Sequence, residues 1–242
     1  MNLQRFRLLS KLLGRDCIYT GVVRQQYKVF PNLPFTKLVQ FHDFPQKCWQ
    51  CEYPHKSKLF CSKCKALQKL PENLNYFDLI GVEKDFNVSI EDVQKKYRQL
   101  QSLLHPDKFG QKSDKEKDIS ESLSSLINKA YTTLMHPLDR GLYMLELENV
   151  SIPEETTNLD PEFLMEIMEK NEEIQEASSD THKILLLIKE NRGILDDLTR
   201  QISEAFSHKD IDTAKKLLIK MKYYISIDKR LKKTKQDLGI VE

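Results

Sequence analysis

The sequence predicts an all-α protein, with two helical domains behind a small cysteine knuckle. Three observations predict it. Apolar residues recur at three- and four-residue steps up to about Leu147, and again from beyond Asn158 to about Leu231. Only 7 Gly and 9 Pro occur in 242 residues, too few for Gly-rich β architectures. Ahead of the helical pattern stand two Cys-x-x-Cys pairs. The length leaves room for roughly two domains. With 38 Lys+Arg against 36 Asp+Glu, the net charge of +2 lacks the strong positive field of a dedicated nucleic-acid binder. The longest purely aliphatic run, Ile184 to Ile188, falls far short of the ~20 residues that cross a bilayer.

Taken in order, residues 1–30 carry Arg5, Arg7, Lys11, Arg15, Arg24 and Lys28 against a single acid, Asp16. Leu3, Phe6, Leu9, Leu12 and Leu13 are interleaved with these cations. A basic, acid-poor amphipathic leader suits import driven by a negative-inside potential, so it reads as a mitochondrial transit peptide. The expected location is the mitochondrial matrix, with a cytosolic pool left open. Pro31, Pro34 and Pro45 then interrupt any helix, and residues 31–44 read as a linker.

Residues 45–70 hold Cys48-x-x-Cys51 and Cys61-x-x-Cys64. A two-residue gap lets a tight turn aim both sulfurs at one point, and two such turns complete a tetrahedral site. Four thiolates with no vacancy predict one structural zinc ion, because catalysis needs an open position for water or substrate. Two disulfides, a rubredoxin-type iron site and a redox-active Cys-x-x-Cys stand beside this reading. Zinc is preferred because reducing compartments disfavour structural disulfides and no thioredoxin-like βαβ pattern surrounds either pair. His55 lies between the pairs and is surplus to the four ligands. No internal repeats are evident.

From Ile90, the residues Val93, Tyr97, Leu100 and Leu104 fall on one face of a helix opened by Ser89 as N-cap. Lys95 and Arg98 point to the other side, toward solvent. Pro106, with no amide proton, stops the helix near His105. A second amphipathic run, Ile119, Leu123, Ile127, Ala130 and Leu134, completes an antiparallel hairpin whose tip is His105-Pro106-Asp107. His105 and Asp107 lack a nucleophile, a metal-ligand partner or any other catalytic constellation, which argues against an enzyme site.

Asn75-Tyr76-Phe77-Asp78-Leu79-Ile80-Gly81-Val82, Tyr97-Arg98, His105-Pro106-Asp107-Lys108 and Asn128-Lys129-Ala130-Tyr131 resemble a J domain in order and spacing, over residues 73–148. The resemblance implies a non-enzymatic co-chaperone that docks on a DnaK-type chaperone, here a mitochondrial one, and stimulates its ATPase. His105, Pro106 and Asp107 are then the trigger, with Lys95, Arg98 and Lys108 adding positive charge. Downstream, Pro137-Leu138-Asp139-Arg140-Gly141-Leu142-Tyr143-Met144-Leu145 and Asp160-Pro161-Glu162-Phe163-Leu164-Met165-Glu166 are similar to the HscB family of iron-sulfur cluster co-chaperones. That resemblance covers about residues 73 to 231, and the cysteine module resembles the extension of animal mitochondrial members. Residues 149–158, polar and holding Pro153, Thr156 and Thr157, read as a linker; the resemblance implies a J domain before it and, at 159–235, a three-helix bundle that binds the cluster scaffold protein. Iron-sulfur recipient proteins are further candidate partners, and homodimerisation stays open.

On the first bundle helix, Phe163, Ile167 and Ile174 share a narrow arc suited to a core. Leu164, Met165 and Met168 fall elsewhere, among Glu169, Glu172 and Glu176, as an apolar patch with a carboxylate rim. The resemblance assigns these six residues, and Tyr223 on the last helix, to the scaffold. Ile194, Leu195, Leu198, Ile202 and Phe206, then Leu217, Leu218, Met221 and Ile225, read as core stripes of the other two helices. A competing reading makes the zinc module primary, as a reader of nucleic acid or of another protein client. The near-neutral charge and the absence of clustered aromatic and basic residues weigh against nucleic acid. A thiol oxidoreductase built on the two cysteine pairs is the enzyme alternative.

Overall fold

The structure, a computed structural model, describes residues 46–55, 59–71, 74–152 and 160–239. The leader (1–30), the linker (31–44) and residues 153–158 of the second linker lie outside the described residues. Those described are helical apart from the knuckle, as the periodicity predicts.

The knuckle is one backbone turn used twice, a repeat the sequence does not display beyond its cysteines. In the first copy, the Cys48 amide donates to the Tyr53 carbonyl at 2.9 Å and the Glu52 amide to the Cys48 carbonyl at 2.9 Å. In the second, Cys61 donates to Ala66 at 2.9 Å and Lys65 to Cys61 at 3.0 Å. Glu52 and Lys65, each four residues after its leading cysteine, take φ of 55° and 62°. Non-glycine residues rarely sit there, and each is held in place by the backbone bonds that close its turn. Strands β1 (Gln46–Lys47) and β2 (Pro54–His55) pair antiparallel, and a Phe60–Leu67 bridge closes the second turn.

Four helices follow: α1 (Tyr76–Ile80), α2 (Ile90–Leu104), α3 (Asp114–Met135) and α4 (Pro137–Leu147). Ser89 caps α2, its hydroxyl accepting from the Asp92 amide at 3.3 Å. Gly81 ends α1 at φ 86°, where a Cβ would be strained. Val93 and Leu104 from α2 bury against Ile119, Leu123, Ile127, Ala130 and Leu134 of α3. Asn128 and Tyr131 have a packing role in this hairpin. Tyr97 stacks on Tyr131 with centroids 3.9 Å apart, and its hydroxyl donates to Asn128 at 3.0 Å.

The remaining helices are α5 (Pro161–Glu176), α6 (Thr181–Ser207) and α7 (Ile211–Asp237), capped by Asp160, Asp180 and Asp210. Phe163, Ile167 and Ile174 are buried as their arc predicts. Helix α6 starts well ahead of Ile194 and buries Ile184, Ile188 and Asn191 as well. On α7 the core stripe runs Ala214, Leu218, Met221, Tyr224, Ile227 and Leu231, so Tyr224 takes the core place that spacing alone gives to Ile225. Its phenol reaches the Glu166 carboxylate, which satisfies the hydroxyl at the edge of the core.

Helix α4 joins the two helical groups by packing on α7. At Gly141 an added Cβ would stand 2.4 Å from a methyl of Leu218 and 3.2 Å from the Phe86 ring, so any larger residue forces the buried Leu218 side chain to shift. Phe86 stacks on Phe206 at 5.5 Å, and the buried Arg140 guanidinium lies 5.0 Å from the Phe86 ring. Burial lowers the Arg140 pKa, with Asp85 opposing the shift.

Candidate functional site

His105 stands outside α2 at φ −58° and ψ 129°, the extended form that a following proline imposes. Pro106 opens a short 3-10 turn, Pro106–Phe109, anchored by the buried Phe109. The His105 Nδ1 accepts from the Asp107 amide at 3.3 Å. The Asp107 side chain is 88% exposed, with one carboxylate oxygen 3.4 Å from the same His105 nitrogen. Lys95, Arg98 and Lys108 are exposed, and the Lys108 ammonium reaches back to the Ser102 carbonyl. Lys95, Arg98 and His105, spaced by three and seven residues, line one side of α2 down to the tip. Leu103, half exposed, adjoins the tip and lies off the stripe defined by Leu100 and Leu104.

The four cysteine sulfurs gather at one point, all within 4.8 Å of one another. The Cys48 and Cys64 sulfurs are 3.6 Å apart and those of Cys51 and Cys61 3.7 Å. Metal–sulfur bonds of about 2.3 Å in a tetrahedron give edges of about 3.8 Å, so the donor set fits a zinc-sized ion. Disulfides need sulfurs about 2 Å apart. Burial alone would push the Cys48 thiol up, but the amides of Cys51 and Gln50 and the neighbouring thiols bring it down to about 6. The amide of Cys64 lowers the Cys61 thiol. At Cys64 the Ala66 amide pulls down, yet burial and the other three sulfurs outweigh it and push the thiol up to about 12. Four negative sulfurs this close repel one another, and a cation is what lets all four ionise.

On α5, Leu164 and Met168 are half-buried and Met165 is 61% exposed, while Glu169, Glu172 and Glu176 face solvent. Tyr223, half-buried, meets Phe163 edge to face at 5.6 Å, which sets it against α5 one residue from Leu164. The patch and the tip therefore belong to different helical groups.

Two family models match the chain, a DnaJ domain at residues 75–143 and the HSCB C-terminal oligomerisation domain at 159–232. The human iron-sulfur cluster co-chaperone protein HscB is 40% identical over 193 residues, covering 77% of this chain and 81% of that protein. The chain belongs to the HscB family. It is an HscB-type iron-sulfur cluster co-chaperone carrying a J domain, and its relatives are named as co-chaperones rather than as enzymes. The crystal structure of human HscB superposes with a TM-score of 0.76 at 39% identity, covering 80% of this chain and all of that one. HscB from Vibrio cholerae shares the fold at 24% identity and a TM-score of 0.64, with 99% of its length covering 68% of this chain.

Proposed function

We propose that this chain is a two-ended adaptor, in which the J-domain tip engages a mitochondrial DnaK-type chaperone and the three-helix bundle holds an iron-sulfur cluster scaffold protein. Stimulated ATP hydrolysis then clamps the chaperone on the scaffold and promotes cluster transfer to recipient proteins. The observation that carries this reading is the presence of two exposed surfaces on separate helical groups within one HscB-family chain. At the tip, Asp107 offers a carboxylate to a cation of the chaperone, His105 and Pro106 fix its presentation, and Lys95, Arg98 and Lys108 speed encounter with an acidic surface. On the bundle, Leu164, Met165, Met168 and Tyr223 supply adaptable apolar contact, bordered by Glu169, Glu172 and Glu176.

Cys48, Cys51, Cys61 and Cys64 hold one structural zinc ion, whose chemistry is to neutralise the thiolates and fix the knuckle. The basic leader directs the chain to the mitochondrial matrix. Residues 73–148 form the J domain, and residues 159–235 the scaffold-binding domain. The test is the ATPase rate of a mitochondrial DnaK-type chaperone with and without the scaffold. Wild type stimulates the rate, His105→Gln abolishes stimulation, and Leu164→Ala with Met168→Ala keeps stimulation but loses synergy with the scaffold. A folded wild type that leaves the rate unchanged overturns the reading.

A further inference from the structure

The third helix opens with a capping-box sequence, Ser113-x-x-Glu116, but its carboxylate is used differently. In the ordinary box the glutamate returns to the N-cap amide. Here Ser113 accepts from the Glu116 amide at 3.3 Å as expected, while the carboxylate takes the Leu67 amide of the knuckle at 3.3 Å and the Ser113 hydroxyl at 3.4 Å. Glu116 is buried, so an unmatched carboxylate there would be costly.

Leu67 is held from both sides. Its carbonyl accepts from the Trp49 indole at 2.6 Å, and its side chain is fully buried in the core shared with the J domain. The Lys115 ammonium sits 4.4 Å from the Trp49 ring, a second tie between the knuckle and the first turn of α3. One turn beyond Glu116, the Ser120 hydroxyl donates to the Leu104 carbonyl at 2.8 Å, at the end of α2 next to His105. A continuous set of contacts thus leads from the knuckle through Leu67, Glu116 and Ser120 to both ends of the loop bearing the tip. Between these flanks the loop is held by the buried Phe109 and by short-range bonds, among them Lys108 N–H to the His105 carbonyl and Lys112 N–H to the Phe109 carbonyl, each at 2.9 Å, and Asp107 N–H to His105 Nδ1 at 3.3 Å. With bonds this local, the opening of the loop depends on how its flanks are fixed.

We propose that the tetracysteine module is an internal brace for the loop carrying His105, Pro106 and Asp107, with Glu116 as the positioning residue that joins module to loop. The brace rests on the readings of the cysteines as metal-held and of the tip as chaperone-binding, but it is measured without chaperone or scaffold. Its contribution is order rather than chemistry.

Amide hydrogen exchange on the full chain tests it, following peptides that span residues 105–120. Against the zinc-loaded wild type, zinc removal by chelator, Trp49→Ala and Glu116→Ala each speed exchange there by roughly five- to tenfold. The double variant Trp49→Ala with Glu116→Ala exchanges no faster than about the faster single one, because both cut the same chain of contacts. Leu164→Ala leaves this segment at the wild-type rate. If only Glu116→Ala speeds exchange, the carboxylate merely caps α3 and the brace is refuted. Unchanged exchange in all three refutes it as well. Should the chain take up no zinc, Trp49→Ala still decides the matter from the knuckle side. A loss of chaperone stimulation with the exchange pattern intact would count against the proposed function alone.

Discussion

At the tip of the α2–α3 hairpin, Pro106 ends a helix and leaves His105 and Asp107 outside it, whereas on α5 the helix runs unbroken past Leu164, Met165 and Met168. The tip is polar and highly exposed, held by its flanks. The patch is the apolar remainder of a helix whose other side, Phe163, Ile167 and Ile174, is buried. The contrast teaches that a loop site is separated from the core by a backbone break, while a helix-face site is separated only by angle. Neighbours such as Phe163 and Leu164 then have different duties although both are apolar and adjacent.

That difference is most severely strained by comparing Phe163→Ala with Met165→Ala in denaturant unfolding. The first removes a buried ring and should cost about 3–5 kcal/mol. The second removes a largely exposed side chain and should stay within about 0.5 kcal/mol. Equal losses would mean that the patch is core. Gly141→Ala tests how tightly α4 packs on α7. Overpacking against Leu218 and Phe86 outweighs the better helix propensity of alanine, for a net loss of about 1–2 kcal/mol, read as a lower denaturation midpoint. A gain in stability would show that the α4–α7 contact yields freely.

The smallest expected effect is at Asp210, the N-cap of α7, whose carboxylate accepts from the Thr213 amide at 3.0 Å and has its pKa lowered by that bond. A depressed acid contributes stability above its ordinary value of 3.8, and that contribution disappears as pH falls through the lowered one. Asp210→Asn keeps an acceptor without charge. Melting curves from neutral to acid pH should therefore show a shallower acid loss in the variant than in wild type, and parallel curves would remove Asp210 from the account.

Much of this was legible in the sequence because it depends on each helix's own pattern. Ser89 as a cap, the Val93–Leu104 and Ile119–Leu134 stripes, the arc of Phe163 and Ile174, and the two cysteine pairs all follow from local spacing. Contacts between distant segments were not legible. Leu67 meets Glu116 across 49 residues, and nothing in Ser113-x-x-Glu116 announces that its carboxylate leaves its own helix. Gly141 reads as an ordinary interruption of α4 until Leu218 is placed against it. The choice of Tyr224 over Ile225 turns on about 100° of rotation on α7, and a phenol can sit in the core there because Glu166 is within reach.

The Tyr76 amide donates to the Tyr143 hydroxyl at 2.9 Å, their rings stack at 4.2 Å, and burial pushes the Tyr143 phenol up to about 12. These partners lie 67 positions apart, against 31 for Tyr97 and Asn128 in the hairpin. During synthesis on the ribosome the hairpin can therefore pair while Tyr76 still waits for α4 to emerge. The seam between the first and fourth helices needs the chain as far as Tyr143, whereas the hairpin that bears His105, Pro106 and Asp107 needs it only to Met135.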